Sequence, residues 1–140
     1  YMGPLGSGYA AKLINNLIVG GEITLIAEAF GLARRAGVDL TRLMEALSGG
    51  AAASPVLTMK GSKMISGDYT SSSRVLIHLK DQHNAQEMAR ALGADIPACD
   101  LSTLLLEKLA DMGRGNEDVA AVIDLFQSKV DLRRLWNGNL

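Results

Sequence analysis

Between Tyr9 and Ala36 the apolar residues Leu13, Ile14, Leu17, Ile18, Leu25, Ile26, Ala29, Phe30 and Ala33 recur at steps of three and four. That spacing gathers side chains onto one face of an α-helix. At 1.5 Å per residue the helix reaches ~40 Å, so the remainder of a 140-residue chain has to be arranged around it. Gly20-Gly21 interrupts the run at a cost in helix propensity, which implies close packing of another backbone or a bend there. Gly37 suits the left-handed position that ends the helix.

Helical signals continue along the chain. Asp39 caps a short helix, Leu40 to Leu47, which Ser48-Gly49-Gly50 stops. Ser54-Pro55 starts a third, Pro55 to Ile65, because proline is tolerated in a first turn. Ser66 to Ser73 is a polar loop, and Val75 to Leu92 is the second strong helix, terminated by Gly93. Pro97 to Met112 and Asn116 to Lys129 complete the set. No alternating period-two segment is present. The expected fold is all-α, about six helices packed around one long N-terminal helix, followed by a loose tail from Arg133 to Leu140.

Composition narrows the function. The 14 basic and 15 acidic residues leave a formal charge of -1, with no basic stripe to meet a phosphate backbone, so no nucleic-acid partner is expected. The single cysteine, Cys99, cannot close an internal disulfide. There is no secretory segment and no apolar run approaching the ~20 residues of a membrane span, so the expectation is a cytoplasmic protein with no membrane partner. His78 and His83, five apart, point to different helix faces, so no metal is expected.

Three features carry chemistry. Gly3-x-x-Gly6-x-Gly8 opens the long helix, where glycines let a ligand approach the backbone and the partly positive helix end. The spacing is not the dinucleotide fingerprint, and a flexible hinge or a tag-cleavage remnant reads the same way. Lys12 and Asn16 stand four apart on one helix face with Asn15 beside them, a proton-exchanging group and an amide aimed at one point. A solvated lysine beside a capping asparagine is the plainer reading. Lys80, Asp81, Asn84 and Glu87 form a polar face on the middle helix, while His78, between Ile77 and Leu79, reads as a boundary histidine.

Taken together, Gly3-Pro4-Leu5-Gly6-Ser7-Gly8-Tyr9-Ala10-Ala11-Lys12-Leu13-Ile14-Asn15-Asn16 resembles the catalytic helix motif of the β-hydroxyacid dehydrogenases, which include 3-hydroxyisobutyrate dehydrogenase and tartronate semialdehyde reductase. Glu28-Ala29, Ala36-Gly37-Val38-Asp39, Ser48-Gly49-Gly50 with Ser54, and Leu79-Lys80-Asp81 are similar to later elements of that family. The resemblance runs from Gly3 to about Phe126 and covers only the family's C-terminal, helical half.

The resemblance implies an NAD- or NADP-dependent enzyme that oxidises a 3-hydroxy acid or reduces the β-oxo acid. Lys12 is then the general acid, Asn16 with Gly3, Gly6 and Gly8 binds substrate, and Lys80 lies beside the cofactor. Residues 1–8 become an interdomain segment and 9–132 a substrate and dimerisation domain. The N-terminal nucleotide-binding domain, which holds most of the cofactor, is absent, so the chain alone is expected to be inactive. A homodimer or higher homo-oligomer follows from the same likeness. Ser73 stands where the family has an aromatic and Gln82 where it has a leucine, two departures expected to alter the cofactor-side wall. The competing readings are a helical dimerisation module carrying an idle motif, and a relative that binds a ligand without redox chemistry.

Overall fold

The computed structural model describes residues 1–70 and 72–128. Helix α1, Ser7–Arg35, is preceded by Gly6 in the left-handed region at φ 95 and followed by Gly37 at φ 73. Only glycine enters that region without strain, so these two residues define where the helix begins and ends. Helix α2, Leu40–Ser48, is capped by the Asp39 side chain, which accepts from Arg42 N at 2.9 Å.

Ser54 Oγ accepts from Leu57 N at 3.0 Å and starts the third helical segment. The chain winds through a wide π-type turn, Leu57–Gly61, into α3, Ser62–Ser66. Helix α4 is Val75–Leu92 and α5 is Pro97–Leu109, with proline in its first turn. The α5 spiral continues into a π-type turn, Ala110–Arg114, broken by Gly113 at φ 79.

The last helix departs from expectation. Asp118 sits outside it as the cap, accepting from Ala120 N, and the chain enters a tight 3-10 turn, Val119–Val122, before α6, Ile123–Gln127. On either side of that cap the backbone pairs with the chain leading into α4: Val75 N donates to Glu117 O, and Val119 N to Ser73 O. Lys129 and the tail from Arg133 to Leu140 lie outside the described residues.

The described residues form an all-α bundle in which α1 touches α2, α4, α5 and α6. Its core face, Ile23, Ala27 and Phe30, meets Leu57, Met64, Val75, Leu105, Leu109 and the Val119–Leu125 stretch. The expected tight spot at Gly20 is real, but the neighbour is a side chain. A Cβ there would lie 1.7 Å from Gln82 Nε2. One expectation needs correction: α1 is long and apolar enough, by length and composition, to cross a membrane, because Glu22 and Glu28 are the only charges between Lys12 and Arg34. Its apolar character serves the bundle core on one face.

Candidate functional site

A cleft of ≈ 460 Å³ opens where α1, the third helical segment and the start of α4 meet. Helix α1 contributes Asn15, Asn16 and Val19, and the third segment Pro55, Val56, Met59 and Lys60. The opposite wall is Ser72, Ser73, Ile77, His78 and Asp81. The volume lies within the usual ~300–1,000 Å³ of small-molecule sites.

Asn16 is held across this cleft: its Nδ2 donates to Asp81 Oδ2 at 2.9 Å. The placement follows from helical periodicity. Ile23, Ala27 and Phe30 make the buried face of α1, and the same face, followed back toward the N-terminus, reaches Asn16 and then Lys12. Asn16 is half-buried and Lys12 exposed. Lys12 is thus one turn from Asn16 on the same face, yet not among the residues that line the cleft. Lys80 is exposed on α4 beside Asp81 and is not in the wall either. Gly3 and Gly6 take positive φ in the segment ahead of α1, Gly8 falls inside its first turn, and open space surrounds Gly6 and Gly8.

The structure adds residues that sequence reasoning passed over. Lys60 Nζ lies 2.9 and 3.1 Å from the two oxygens of Asp118, and both side chains are buried. Asp118 also accepts from Ser72 N and Oγ, Ser73 N and Ala120 N, all within 3.1 Å. Burial works to raise the Asp118 carboxyl, but the bonds from Ala120, Lys60 and Ser72 together outweigh it and hold the group below its ordinary range. Through this carboxylate the Ser72–Ser73 wall is tied to the core. Its one sequence signal is an aspartate followed by a small-residue run, Asp118-Val119-Ala120-Ala121, the pattern of a cap. Nothing marked Lys60.

His78 is the boundary histidine the sequence suggested, but it also lines the cleft, with Nε2 2.6 Å from Ser73 Oγ. Burial, and after it the nearby Lys60 charge, pull the imidazole below its ordinary range against the opposing pull of Asp81 and Asp118. His83 points elsewhere, to Glu107 at 3.0 Å on the surface.

The expectation for Gln82 is overturned. It is 1% exposed, its Oε1 accepts from Cys99 Sγ at 2.7 Å, and its Nε2 is buried against Gly20 without a hydrogen-bond partner. One residue beyond Asp81, it turns to the other side of α4, so it alters the α1–α4–α5 packing and not the cleft wall. Ser73, the other departure, is in the wall.

Residues 6–126 match the family described as NAD-binding of NADP-dependent 3-hydroxyisobutyrate dehydrogenase. The chain belongs to this family of β-hydroxyacid dehydrogenases. The crystal structure of 3-hydroxyisobutyrate dehydrogenase from Salmonella typhimurium superposes with a TM-score of 0.83 at 32% identity, over 86% of this chain and 42% of that one. L-threonate dehydrogenase of Escherichia coli (strain K12) is 32% identical over 121 residues, 86% of this chain and 40% of the relative. The 2-hydroxy-3-oxopropionate reductase of the same organism is 30% identical over 126 residues, 90% of this chain and 43% of the relative. The chain spans less than half the length of the curated relatives it matches. The family's chemistry is nicotinamide-linked oxidation and reduction of small hydroxyacids.

Proposed function

We propose that the chain is the substrate-side, catalytic-lysine domain of an NAD- or NADP-dependent 3-hydroxyacid dehydrogenase. The observation that carries this is Lys12 and Asn16, one turn apart on the face of α1 that leads into the cleft, with Asn16 anchored to Asp81 across it.

Asn16 holds a hydroxyl or carboxylate of the acid: Asp81 fixes the amide through its nitrogen, and the carbonyl oxygen, which accepts from Asn15 Nδ2 at 3.4 Å, keeps a second lone pair for a ligand donor. In oxidation Lys12, as the free amine, takes the hydroxyl proton while the carbinol C–H pair leaves as hydride. In reduction Lys12, as the ammonium, returns a proton to the carbonyl oxygen. The nicotinamide, when bound, accepts or supplies that hydride. Val19, Val56, Met59 and Ile77 give the cleft an apolar side suited to a flat ring. Lys80, exposed next to Asp81, is our reading of the contact to a cofactor phosphate or ribose outside the cleft.

Among the described residues no strand leads into a glycine-rich phosphate loop. Residues around the cleft therefore fit only the reactive end of a dinucleotide, and a nucleotide-binding domain elsewhere in a longer protein supplies the rest. In that protein residues 1–8, with Gly3, Gly6 and Gly8, join the two domains and let substrate close on the backbone, while 9–132 form the helical domain. The chain by itself does not turn over. A lone, buried, unpaired cysteine, Cys99, suits a reducing cytoplasm.

An oligomeric role is compatible with catalysis and has its own support. Ile14, Ile18, Leu25 and Leu32 are each at least half exposed and lie on one face of α1, away from the core. A homodimer that covers this stripe is our reading of it.

The test is loss of reduced-nicotinamide absorbance with a panel of β-oxo acids, run on the full-length protein and on this chain side by side. Turnover by the longer protein alone is the expected result. Silence from both, with a stable dimer, favours a non-catalytic dimerisation module.

A further inference from the structure

Ser73 and His78 occupy the positions immediately before the cap and four residues into helix α4, whose cap is Arg74. At those two positions helices commonly carry an apolar pair that fixes the entry angle of the chain. Here the pair is a hydroxyl and an imidazole, 2.6 Å apart and half-buried, and both line the cleft. The entry angle needs no polar contact from their side chains, because bonds donated by backbone N–H groups, Val75 N to Glu117 O, Val119 N to Ser73 O and Ser73 N to Asp118 Oδ2, already fix it. A polar pair in a partly dry wall costs desolvation that an apolar pair avoids.

We infer that Ser73 with His78 is a hydroxyl-recognising element that makes the site select acids carrying a second hydroxyl over acids carrying an alkyl group in its place. The inference rests on the proposed dehydrogenase function. A serine hydroxyl has one donor and two acceptor sites, and the bond to His78 uses one of them. The remainder can meet a substrate hydroxyl, which donates and accepts. An alkyl group set against the same wall excludes water from Ser73 and His78 and returns no hydrogen bond. Burial and, after it, the Lys60 charge favour the neutral form of His78, which has one donor and one acceptor nitrogen. The six-way Asp118 contact to Lys60, Ser72, Ser73 and Ala120 makes the wall rigid enough to discriminate.

The experiment is kcat/KM of the full-length enzyme, with both nicotinamide cofactors, for glycerate and 2,3,4-trihydroxybutanoate against 3-hydroxyisobutyrate and 3-hydroxybutanoate. Glycerate and 3-hydroxyisobutyrate differ by one hydroxyl exchanged for one methyl. The better polyhydroxylated acid is expected to lead the better alkyl acid by ~10-fold or more. Ser73→Ala lowers that ratio at least about fivefold, and Ser73→Thr, which keeps the hydroxyl, restores most of it. Turnover with equal or greater preference for the alkyl acids overturns this inference and leaves the dehydrogenase reading standing, and so does a ratio that Ser73→Ala does not move. No turnover with any acid overturns both.

Discussion

Lys60 Nζ and Asp118 Oδ1 meet at 2.9 Å in the interior, joining residues 58 apart in the chain. Asp118 has four further contacts, to Ser72 N and Oγ, Ser73 N and Ala120 N, that orient the cleft wall and cap the last helical turn, whereas Lys60 Nζ bonds, among the described residues, only to the two Asp118 oxygens. Removing one partner of a buried pair leaves the other charged and unmatched, at a cost of ~3–5 kcal/mol. Asp118→Ala is therefore expected to lower unfolding free energy by about that amount and Lys60→Met by less, since the carboxylate keeps its Ser72, Ser73 and Ala120 donors. Urea denaturation of both variants checks the order. An Asp118→Ala loss under ~1 kcal/mol would refute it.

His78 in the cleft wall and Asp118 buried behind it give stability a definite pH dependence. His78 is depressed in the folded state below its ordinary 6.5, so the unfolded chain takes up the proton first. Stability is full above that value and declines as pH falls below it. Asp118 is likewise depressed, and its contribution persists above 3.8 and is lost on further acidification. Denaturation midpoints measured from pH 7 to 5 should fall less in His78→Gln than in the parent chain. Parallel curves would remove His78 from the account.

Gly20 and Gln82 are predicted to be coupled. A methyl on Gly20 runs into Gln82 Nε2, an overpacking expected to cost ~1–3 kcal/mol. Gly20→Ala combined with Gln82→Ala should cost clearly less than the sum of the single changes, because the shortened side chain makes room. Gln82→Leu removes a buried amide nitrogen with no partner and should be near neutral despite losing the Cys99 contact. Additive single and double variants would contradict the packing described.

Much of this architecture was legible in the sequence because it depends on local chemistry. The three- and four-residue apolar step gave α1, and Asp39, Ser54 and Pro97 marked helix starts that the structure keeps. Lys12 and Asn16, four apart in sequence, do share one face of α1, and of the two only Asn16 lines the cleft. Relationships between distant segments were not legible. Lys60 looks like a solvated lysine until Asp118 is folded against it, and Asp118 reads as helix interior until the backbone pairing of Ser73 and Val119 turns it into a cap. Gln82, read as a wall residue from its place after Asp81, faces Gly20 and Cys99 because the packing of α1 and α5 against α4, not position along one helix, decides which way this buried side chain points.

The exposed stripe on α1 predicts an assembly. Leu25→Glu with Leu32→Glu places two charges on a face that is 66% and 68% exposed at these residues in the single chain. The double variant should be monomeric by light scattering while the parent is dimeric, with helix content by circular dichroism unchanged. A parent that is itself monomeric at high concentration would refute the covered-stripe reading.

The central claim is that Lys12 carries the proton. The direct measurement is kcat of Lys12→Ala in the full-length enzyme with its best acid and saturating cofactor, alongside Lys12→Arg, which keeps the charge but does not give up its proton. Both variants are expected to lose ~100-fold or more in kcat with the fold intact, the size usual for a lost general acid. A loss below about threefold in either would contradict the assignment.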